Sequence, residues 1–211
     1  MNLALISDHC NDVGKSAIEV LISNSLEQTD SMSVVYFASE PDPEHIFFDQ
    51  TKSIYESLGV KIIHYIEIEE NYDEVLIEEY LSASIIHLSG GDTYRFLFWL
   101  KKRGVDKLIA NQVKAGKPIV GISAGAMILT PSIDTAHLCG DENNVGLENT
   151  TAMGLVPFLF CPHASHSEKE KEIVSNLRFG SQIAMCKDSD AIVVIGSKII
   201  QIGGPFWIHG T

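Results

Sequence analysis

The sequence predicts an α/β protein with a mostly parallel sheet. Short apolar runs rich in β-branched residues alternate with stretches of helical periodicity, which is the pattern of β-α-β units. One fully apolar run, residues 118–122, leads directly into a serine. No linker, repeat or low-complexity segment divides the 211 residues. We therefore expect a single α/β domain over residues 1–211.

The elements follow from the spacing of apolar residues and from turn signals. Strands are predicted at 3–7, 33–38, 61–66, 85–88, 118–122 and 155–160, and helices at 14–26, 43–58, 72–81, 93–102, 105–115 and 167–177. Residues 130–151 are polar and contain glycine, which predicts a long loop. The segments 191–195 and 198–202, joined by Gly196 and Ser197, predict an antiparallel C-terminal hairpin.

Charge and cysteine content exclude several functional classes. The formal charge is −13, from 28 acidic and 15 basic residues. Such a field repels nucleic acid and anionic membrane surfaces, so neither is an expected partner. The four cysteines (Cys10, Cys139, Cys161 and Cys186) form neither a C-x-x-C pair nor a zinc spacing. Because we also find neither a signal peptide nor an apolar stretch long enough to span a bilayer, we expect a cytoplasmic location.

The first candidate functional residue is Ser123, in the sequence Gly-Ile-Ser-Ala-Gly at 121–125. A strand that stops at a serine and turns at once into a helix exposes the hydroxyl at the carboxyl edge of the sheet. Small residues on both sides permit the tight turn of a nucleophile elbow. The alternative is that Ser123 caps the following helix through its side chain.

A second glycine-rich loop, Ser89-Gly90-Gly91-Asp92, follows the predicted strand 85–88. An acyl-transfer site needs two N–H donors at the developing oxyanion, and Gly91 and Ala124 fit these roles. Gly90 and Asp92 are expected to contact substrate at the same place. The alternative for this loop is an ordinary turn with Asp92 as the helix N-cap.

The candidate general base is His163, which follows Cys161-Pro162 at the end of the apolar run 155–160. A histidine just beyond a buried strand is expected at the sheet edge, where a base can reach the serine proton. His166 and His137 are the competing histidines.

In combination these segments resemble peptidase family S51. The resemblance rests on Gly-Gly-Asp-Thr at 90–93, the motif at 121–126, Pro131, the run at 155–163 and Ile-Gly-Gly-Pro at 202–205. It implies a flavodoxin-like three-layer sandwich related to the class I glutamine amidotransferases. It also implies Ser123 as nucleophile, His163 as base, and Gly91 and Ala124 as the oxyanion hole. Neither a metal nor an organic cofactor is implied; the expected partner is a small peptide substrate, and a homodimer is a candidate assembly.

The acidic member of the triad is less clearly assigned. Alignment with the family places it at Asp188, and this residue is the favoured choice. Asp190 and three acids of the predicted long loop, Asp134, Asp141 and Glu142, remain alternatives.

The departures from the family bear on specificity. Members that cleave after an N-terminal aspartate carry Asn where Asp92 stands, Arg where Asp134 stands and Asn where Met127 stands, and an arginine where this chain has Lys169 or Lys171. An aspartate at the mouth of the site repels an acidic substrate side chain, so strict cleavage after aspartate is not expected. The predicted function is a serine peptidase acting on short peptides. Hydrolysis of another amide or ester, or an inactive binding protein, are the alternatives.

Overall fold

The computed structural model describes residues 1–27, 31–167, 174 and 180–208 of the chain, and within them it is an α/β structure. The strands are β1 (Asn2–Ile6), β2 (Ser33–Phe37), β3 (Ile62–Ile66), β4 (Ile85–Leu88), β5 (Ile119–Ile122), β6 (Phe158–Cys161), β7 (Gln182–Met185), β8 (Ala191–Ile195), β9 (Lys198–Ile202) and β10 (Phe206–Ile208). The α-helices are α1 (Asp12–Ser25), α2 (Ile46–Ser57), α3 (Glu74–Tyr80), α4 (Thr93–Arg103), α5 (Val105–Lys114) and α6 (Ala124–Ile128).

The main sheet has seven strands in the order β3-β2-β4-β5-β1-β8-β9. The first five strands of this order are parallel, and β8 and β9 run antiparallel beside β1. The mostly parallel sheet and the C-terminal hairpin predicted from the sequence are both confirmed. In this arrangement the carboxyl ends of β1, β4 and β5 meet at one edge, which is where open α/β sheets bind ligands.

Helices cover both faces of the main sheet, so the architecture is the predicted three-layer sandwich. On one face, Ile18 and Leu21 of α1 and Tyr55 of α2 pack with the sheet residues Ala4 and Val120. The opposite face packs α3, α4 and α5 against the alternate residues of the same strands. Strands covered on both faces are mostly apolar, which is why β4 and β5 show no polar alternation and His87 is the single polar residue of β4.

A separate three-stranded sheet, in the order β10-β7-β6, was not predicted. The run expected as a strand at 155–160 forms β6 at Phe158–Cys161, and it pairs parallel with β7 rather than with the main sheet. His163 therefore lies just after β6, which is an edge strand of this second sheet. This corrects the expectation that the strand before His163 belongs to the main sheet. Apolar alternation identifies a strand but not its partner, and β10 has only three residues.

Side-chain caps account for shifted helix boundaries. Helix α2 begins at Ile46 rather than at 43, because the Asp42 carboxylate accepts hydrogen bonds from the backbone N–H groups of Ile46, Phe47 and Phe48. The predicted loop 130–151 contains one 3₁₀ turn, Ala136–Cys139. The helix expected at 167–177 falls almost entirely outside the described residues. Within the part of the chain that is described, we find no helix with the length and apolarity required to traverse a membrane.

Candidate active site

Ser123 lies on a tight turn between β5 and α6 at the carboxyl edge of the main sheet. Its backbone has φ 47° and ψ −106°, a conformation that non-glycine residues rarely adopt. Two hydrogen bonds hold it there: Ser123 N–H donates to Ile6 O (2.8 Å), and Gly125 N–H donates to Ser89 O (3.0 Å). The turn is thus tied to the ends of both flanking strands, β1 and β4.

The small residues around Ser123 are required by close backbone packing. A Cβ on Gly121 would lie 2.7 Å from the backbone nitrogen of Ala126, and one on Gly125 would overlap the carbonyl oxygen of Leu88. Neither position accepts a side chain without movement of the backbone. Close contacts with the neighbouring backbone therefore explain why these positions carry glycine, as the tight turn expected from the sequence requires.

The Ser123 hydroxyl contacts His163 instead of capping α6. The structure gives Ser123 no side-chain capping bond, so the helix-cap alternative is wrong here. Ser123 Oγ lies 2.8 Å from His163 Nε2, and His163 Nδ1 lies 2.6 Å from Asp188 Oδ1. Because a carboxylate can only accept, Nδ1 carries the proton and Nε2 presents a lone pair to the serine hydroxyl.

Two hydrogen bonds of the backbone position His163 and Asp188. His163 has a left-handed backbone (φ 57°), and its N–H donates to Ser7 Oγ at 2.8 Å. The carbonyl of Asp188 accepts from Asn11 Nδ2 at 2.8 Å. The side chains of His163 and Asp188 are 45% and 63% exposed, so the line opens to solvent at its acidic end.

The competing histidines and Asp190 take no part in the hydrogen-bonded line of Ser123, His163 and Asp188. His166 Nε2 lies 2.9 Å from the carbonyl of Met185, and His137 is exposed on the 3₁₀ turn. Asp190 is buried, and its carboxylate accepts from the N–H groups of Lys187 and Gly204 (2.8 and 2.7 Å). These two hydrogen bonds hold the turn that carries Asp188, so the role of Asp190 is structural.

The acids of the loop after Ser123 lie near the start of α4. Asp141 Oδ2 accepts from Thr93 N–H, and Asp92 Oδ1 caps the helix by accepting from Arg95 N–H. Burial, and then the charges of Asp134, Asp141 and Asp92, raise the pKa of Tyr94. Glu142 is exposed. Among the described contacts of His163, the carboxylate partner is Asp188, and these loop acids form no part of the Ser123–His163–Asp188 line.

The two predicted oxyanion donors belong to the loops that meet at Ser123. Gly91 has φ 132°, and Ser39 Oγ holds the neighbouring Gly90 by donating to its carbonyl (2.6 Å). Among the described residues, neither the Gly91 nor the Ala124 N–H has a backbone acceptor, whereas the N–H groups of Ser123 and Gly125 are both used. Both amides are thus available to a ligand, and their role in binding an oxyanion remains a prediction.

A cavity of about 300 Å³ opens beside Ser123, toward α2. Its wall comes from the segments that follow β1, β2 and β4 and from the first half of α2. Gly90 and Gly91 belong to this wall, whereas Asp92 is not among the described residues that line it. A contact between Asp92 and substrate therefore remains a prediction.

Sequence reasoning missed the polar residues of this cavity. His9 and His87 line it, as does Ser7, and none of them stands in a recognisable motif. His87 sits inside an otherwise apolar strand, and a polar residue at such a position was the one signal available.

One group of residues offers metal-ligand chemistry. The ligand atoms of Asp8, His9 and Cys10 lie within 4.8 Å of one another. Burial, together with the charge and hydrogen bond of Asp8, raises the pKa of the Cys10 thiol. Cys10 is therefore a protonated thiol near neutral pH, and a metal bound there would have to displace that proton.

Comparison with known proteins identifies the family. The family model described as Peptidase family S51 matches residues 3–202. The chain belongs to peptidase family S51. An uncharacterized peptidase of Listeria monocytogenes serovar 1/2a is 29% identical over 177 residues, which are 82% of this chain and 86% of that protein. Peptidase E of Salmonella typhimurium is 30% identical over 173 residues, covering 81% and 72% of the two chains.

Solved structures agree with this S51 assignment. A provisionally named peptidase E protein from Listeria monocytogenes EGD-e superposes with a TM-score of 0.76 at 28% identity, over 95% of this chain and 96% of the other. A peptidase from an acI-B1 Actinobacterium gives a TM-score of 0.74 at 16% identity, over 99% and 94% of the chains. The second likeness is evidence of the shared fold alone. The family and the named relatives support a peptidase.

Proposed function

We propose that this S51 protein is a serine peptidase of short peptides, with Ser123 as nucleophile, His163 as general base and Asp188 as the acid that orients His163. The observation that carries the proposal is the hydrogen-bonded line from Asp188 through His163 to Ser123, with distances of 2.6 and 2.8 Å. Nucleophile and base within hydrogen-bond reach, with the base oriented by a third group, is the arrangement that activates a serine.

In the acylation step, Ser123 Oγ attacks the carbonyl carbon of the scissile amide while its proton moves to His163 Nε2. Asp188 stabilises the imidazolium that forms and keeps the other proton on Nδ1. The tetrahedral intermediate collapses when His163 gives its proton to the leaving amine, the C–N bond breaks and an acyl-serine remains.

The negative charge that develops on the carbonyl oxygen needs donors already in place. The Gly91 and Ala124 N–H groups come from the two loops that meet at Ser123 and have no backbone acceptors among the described residues. Two preorganised amides of this kind typically contribute about 10²–10³-fold each to the rate of acyl transfer.

Deacylation reverses the roles. Water loses a proton to His163 Nε2 and attacks the acyl carbon, and the acid product leaves as the proton returns to Ser123 Oγ. Because His163 and Asp188 are partly exposed, water reaches this end of the site without a conformational change.

The size and charge of the cavity support short substrates and argue against strict cleavage after aspartate. About 300 Å³ accommodates a side chain and part of a backbone. Asp8, Glu40 and Asp42 belong to its wall, and Glu40 is paired with Arg95 at 3.0 Å. The negative charge of Asp8 and Asp42 disfavours a carboxylate in the cavity. We therefore propose a dipeptidase- or exopeptidase-like enzyme without the restriction to aspartate.

The test combines a fluorophosphonate probe with a dipeptide panel that also contains isopeptides and esters. Wild-type protein should be labelled at Ser123 and hydrolyse part of the panel, and Ser123→Ala should lose both, with kcat/KM down by at least about 10³-fold. Ser197→Ala, on the exposed turn between β8 and β9, is the matched control and should behave as wild type.

Other outcomes reject the proposal in different ways. A folded wild-type protein with neither labelling nor hydrolysis would identify an inactive binding protein. Turnover restricted to esters or isopeptides would identify a different hydrolase on the same side chains.

A further inference from the structure

The cavity beside Ser123 contains two histidines that each keep one ring nitrogen without a partner. They are His9, after β1, and His87, in β4, with ring centroids 6.1 Å apart. His9 Nδ1 and His87 Nε2 are both buried, and neither has a hydrogen-bond partner in the described structure. Buried polar atoms are normally satisfied, so two such atoms in one cavity next to a nucleophilic serine point to a ligand.

The contacts of His9 define which of its nitrogens carries the proton. The hydroxyl of Thr51 donates to the carbonyl of Phe47 (3.2 Å), which uses its single proton. We assign the second contact accordingly: Thr51 Oγ1, 2.9 Å from His9 Nε2, accepts from Nε2–H. In the neutral ring Nδ1 is then a bare lone pair, so His9 offers the cavity a hydrogen-bond acceptor.

His87 has the opposite arrangement. Its Nδ1 lies 3.0 Å from the hydroxyl of the fully buried Tyr55. If Nδ1 were the donor, the Tyr55 proton and His87 Nε2 would both be buried without partners. If Tyr55 donates to Nδ1, a single group remains unsatisfied, the Nε2–H donor. The second arrangement costs less, and His87 thus offers a donor.

Both rings are neutral at neutral pH. Burial lowers the pKa of His9, although Asp8 opposes the shift, and burial and the neighbouring His9 hold the pKa of His87 well below its ordinary value. The Tyr36 ring stacks on His87, and burial also raises the pKa of Tyr36. The charged group near His9 is the Asp8 carboxylate, since the ligand atoms of Asp8 and His9 lie within 4.8 Å of each other. The two neutral rings therefore present one donor and one acceptor, and the charge beside them is negative.

From this pair of atoms we infer that the cavity binds the carboxamide side chain of an asparagine or glutamine next to the scissile bond. The amide oxygen accepts from His87 Nε2–H, and the amide nitrogen donates to His9 Nδ1. Since a carboxamide carries its acceptor and donor on one carbon, and each reaches about 3 Å, it can bridge two rings whose centroids are 6.1 Å apart at an interplanar angle of 61°. The inference rests on the proposed function, because it names the substrate class of that same site.

Other side chains match this pair less well. A carboxylate has no donor for His9 Nδ1 and meets the acidic residues of the wall, Asp8, Glu40 and Asp42. An ammonium is attracted by the same acidic residues but has no acceptor for His87 Nε2–H and no match to the donor–acceptor pair, and an apolar side chain leaves both nitrogens unsatisfied. Sites built to hydrogen-bond a substrate group reject analogues that lack it more strongly than apolar pockets reject an extra methylene. Because both nitrogens are covered in the free protein, the side chain reaches them only when the cavity wall rearranges.

The test is a profile of kcat/KM over two dipeptide series, X-Ala and Ala-X, with X as Asn, Gln, Asp, Leu or Lys. In one of the two series, kcat/KM for X as Asn or Gln should be at least about 10-fold higher than for Leu and about 100-fold higher than for Asp. The variant His87→Phe with Tyr55→Phe removes the donor together with its buried partner and should abolish this preference. His64→Phe, at a ring stacked on Tyr80 outside the cavity, is the matched control and should keep it.

The outcomes separate this inference from the proposed function. A wild-type enzyme that is labelled at Ser123 and cleaves dipeptides, but favours Leu, Asp or Lys in both series, overturns the inference and leaves the proposed function standing. Absence of labelling and of hydrolysis rejects both. If the double variant does not fold, His9→Phe removes the acceptor instead. A carboxamide preference that survives in folded His9→Phe also overturns the inference.

Discussion

The hydroxyl of Ser7, which follows the first strand, accepts a 2.8 Å hydrogen bond from the backbone N–H of His163, 156 residues away. The same hydroxyl donates to the carbonyl of Cys186 at 3.4 Å. Ser7 is fully buried, so this link fixes the left-handed backbone of His163 at the end of β1. Ser7 is therefore a positioning residue for His163.

Ser7→Ala should lower kcat by about 10- to 100-fold and change KM less, because the base loses its alignment whereas the cavity wall loses a single hydroxyl. The unsatisfied N–H of His163 should also cost about 1–3 kcal/mol of unfolding free energy. Steady-state kinetics and urea denaturation measure the two effects. A fall in stability with an unaltered kcat would reduce Ser7 to a structural residue.

Substitution of the neighbouring acids Asp188 and Asp190 should have different effects, on catalysis for Asp188 and on stability for Asp190. Asp188→Asn should lower kcat by about 10²–10⁴-fold, since the amide cannot hold the required tautomer of His163, and should leave the melting temperature unchanged because Asp188 is exposed. Asp190→Asn should instead lose about 1–3 kcal/mol of stability, because its buried carboxylate accepts from two backbone N–H groups.

Kinetics and thermal melts of both variants check this prediction. If Asp188→Asn retained full activity, Asp188 would not be the acid of the triad.

The glycine at position 125 should be among the most sensitive positions of the turn that carries Ser123. An alanine there places its Cβ against the carbonyl of Leu88, so Gly125→Ala should destabilise the protein by several kcal/mol or abolish soluble expression. Gly204→Ala is the matched control: nothing lies within 4 Å of the added Cβ, and the backbone N–H that contacts Asp190 is kept. Denaturant titration of the two variants should differ accordingly, and equal stabilities would contradict the steric explanation.

Stability should fall as the pH is lowered from about 7 to about 5. His9 and His87 have native pKa values below their ordinary value near 6.5, so the unfolded chain takes up protons in this range and the native chain does not. Each such histidine contributes at most about 1.4 kcal/mol of lost stability per pH unit, between about pH 6.5 and its native pKa.

Urea denaturation at pH 5.5 and 7.5 measures this slope. In the His87→Phe, Tyr55→Phe double variant the slope should be smaller than in the wild type, and in His64→Phe it should be closer to that of the wild type. A wild-type slope kept in full by the double variant would exclude His87 as a source.

The part of the site that can be predicted from the sequence is the part that depends on local chain geometry. The turn at Ser123, with Gly121 and Gly125 on either side, has few local conformations. The Gly90-Gly91 loop is likewise recognised from glycines that follow a predicted strand. The order of the strands, by contrast, depends on packing between residues far apart in the chain. The second sheet and the roles of Ser7, His9 and His87 depend on this long-range packing too. Ser7 and His9 look ordinary in their own segments, and the single signal for His87 is its polar side chain within an apolar strand.

The sequence by itself determined the α/β class, the C-terminal hairpin and the turn at Ser123, since periodicity and glycine sterics act over a few residues. Tertiary structure decided which of three histidines meets Ser123 and which of five acids meets His163. It also decided that Asp190 fixes the turn beside Asp188 and that His9 and His87 face one cavity. These outcomes depend on where distant segments meet, and a hydrogen bond between residues 7 and 163 leaves no mark on the local pattern of either.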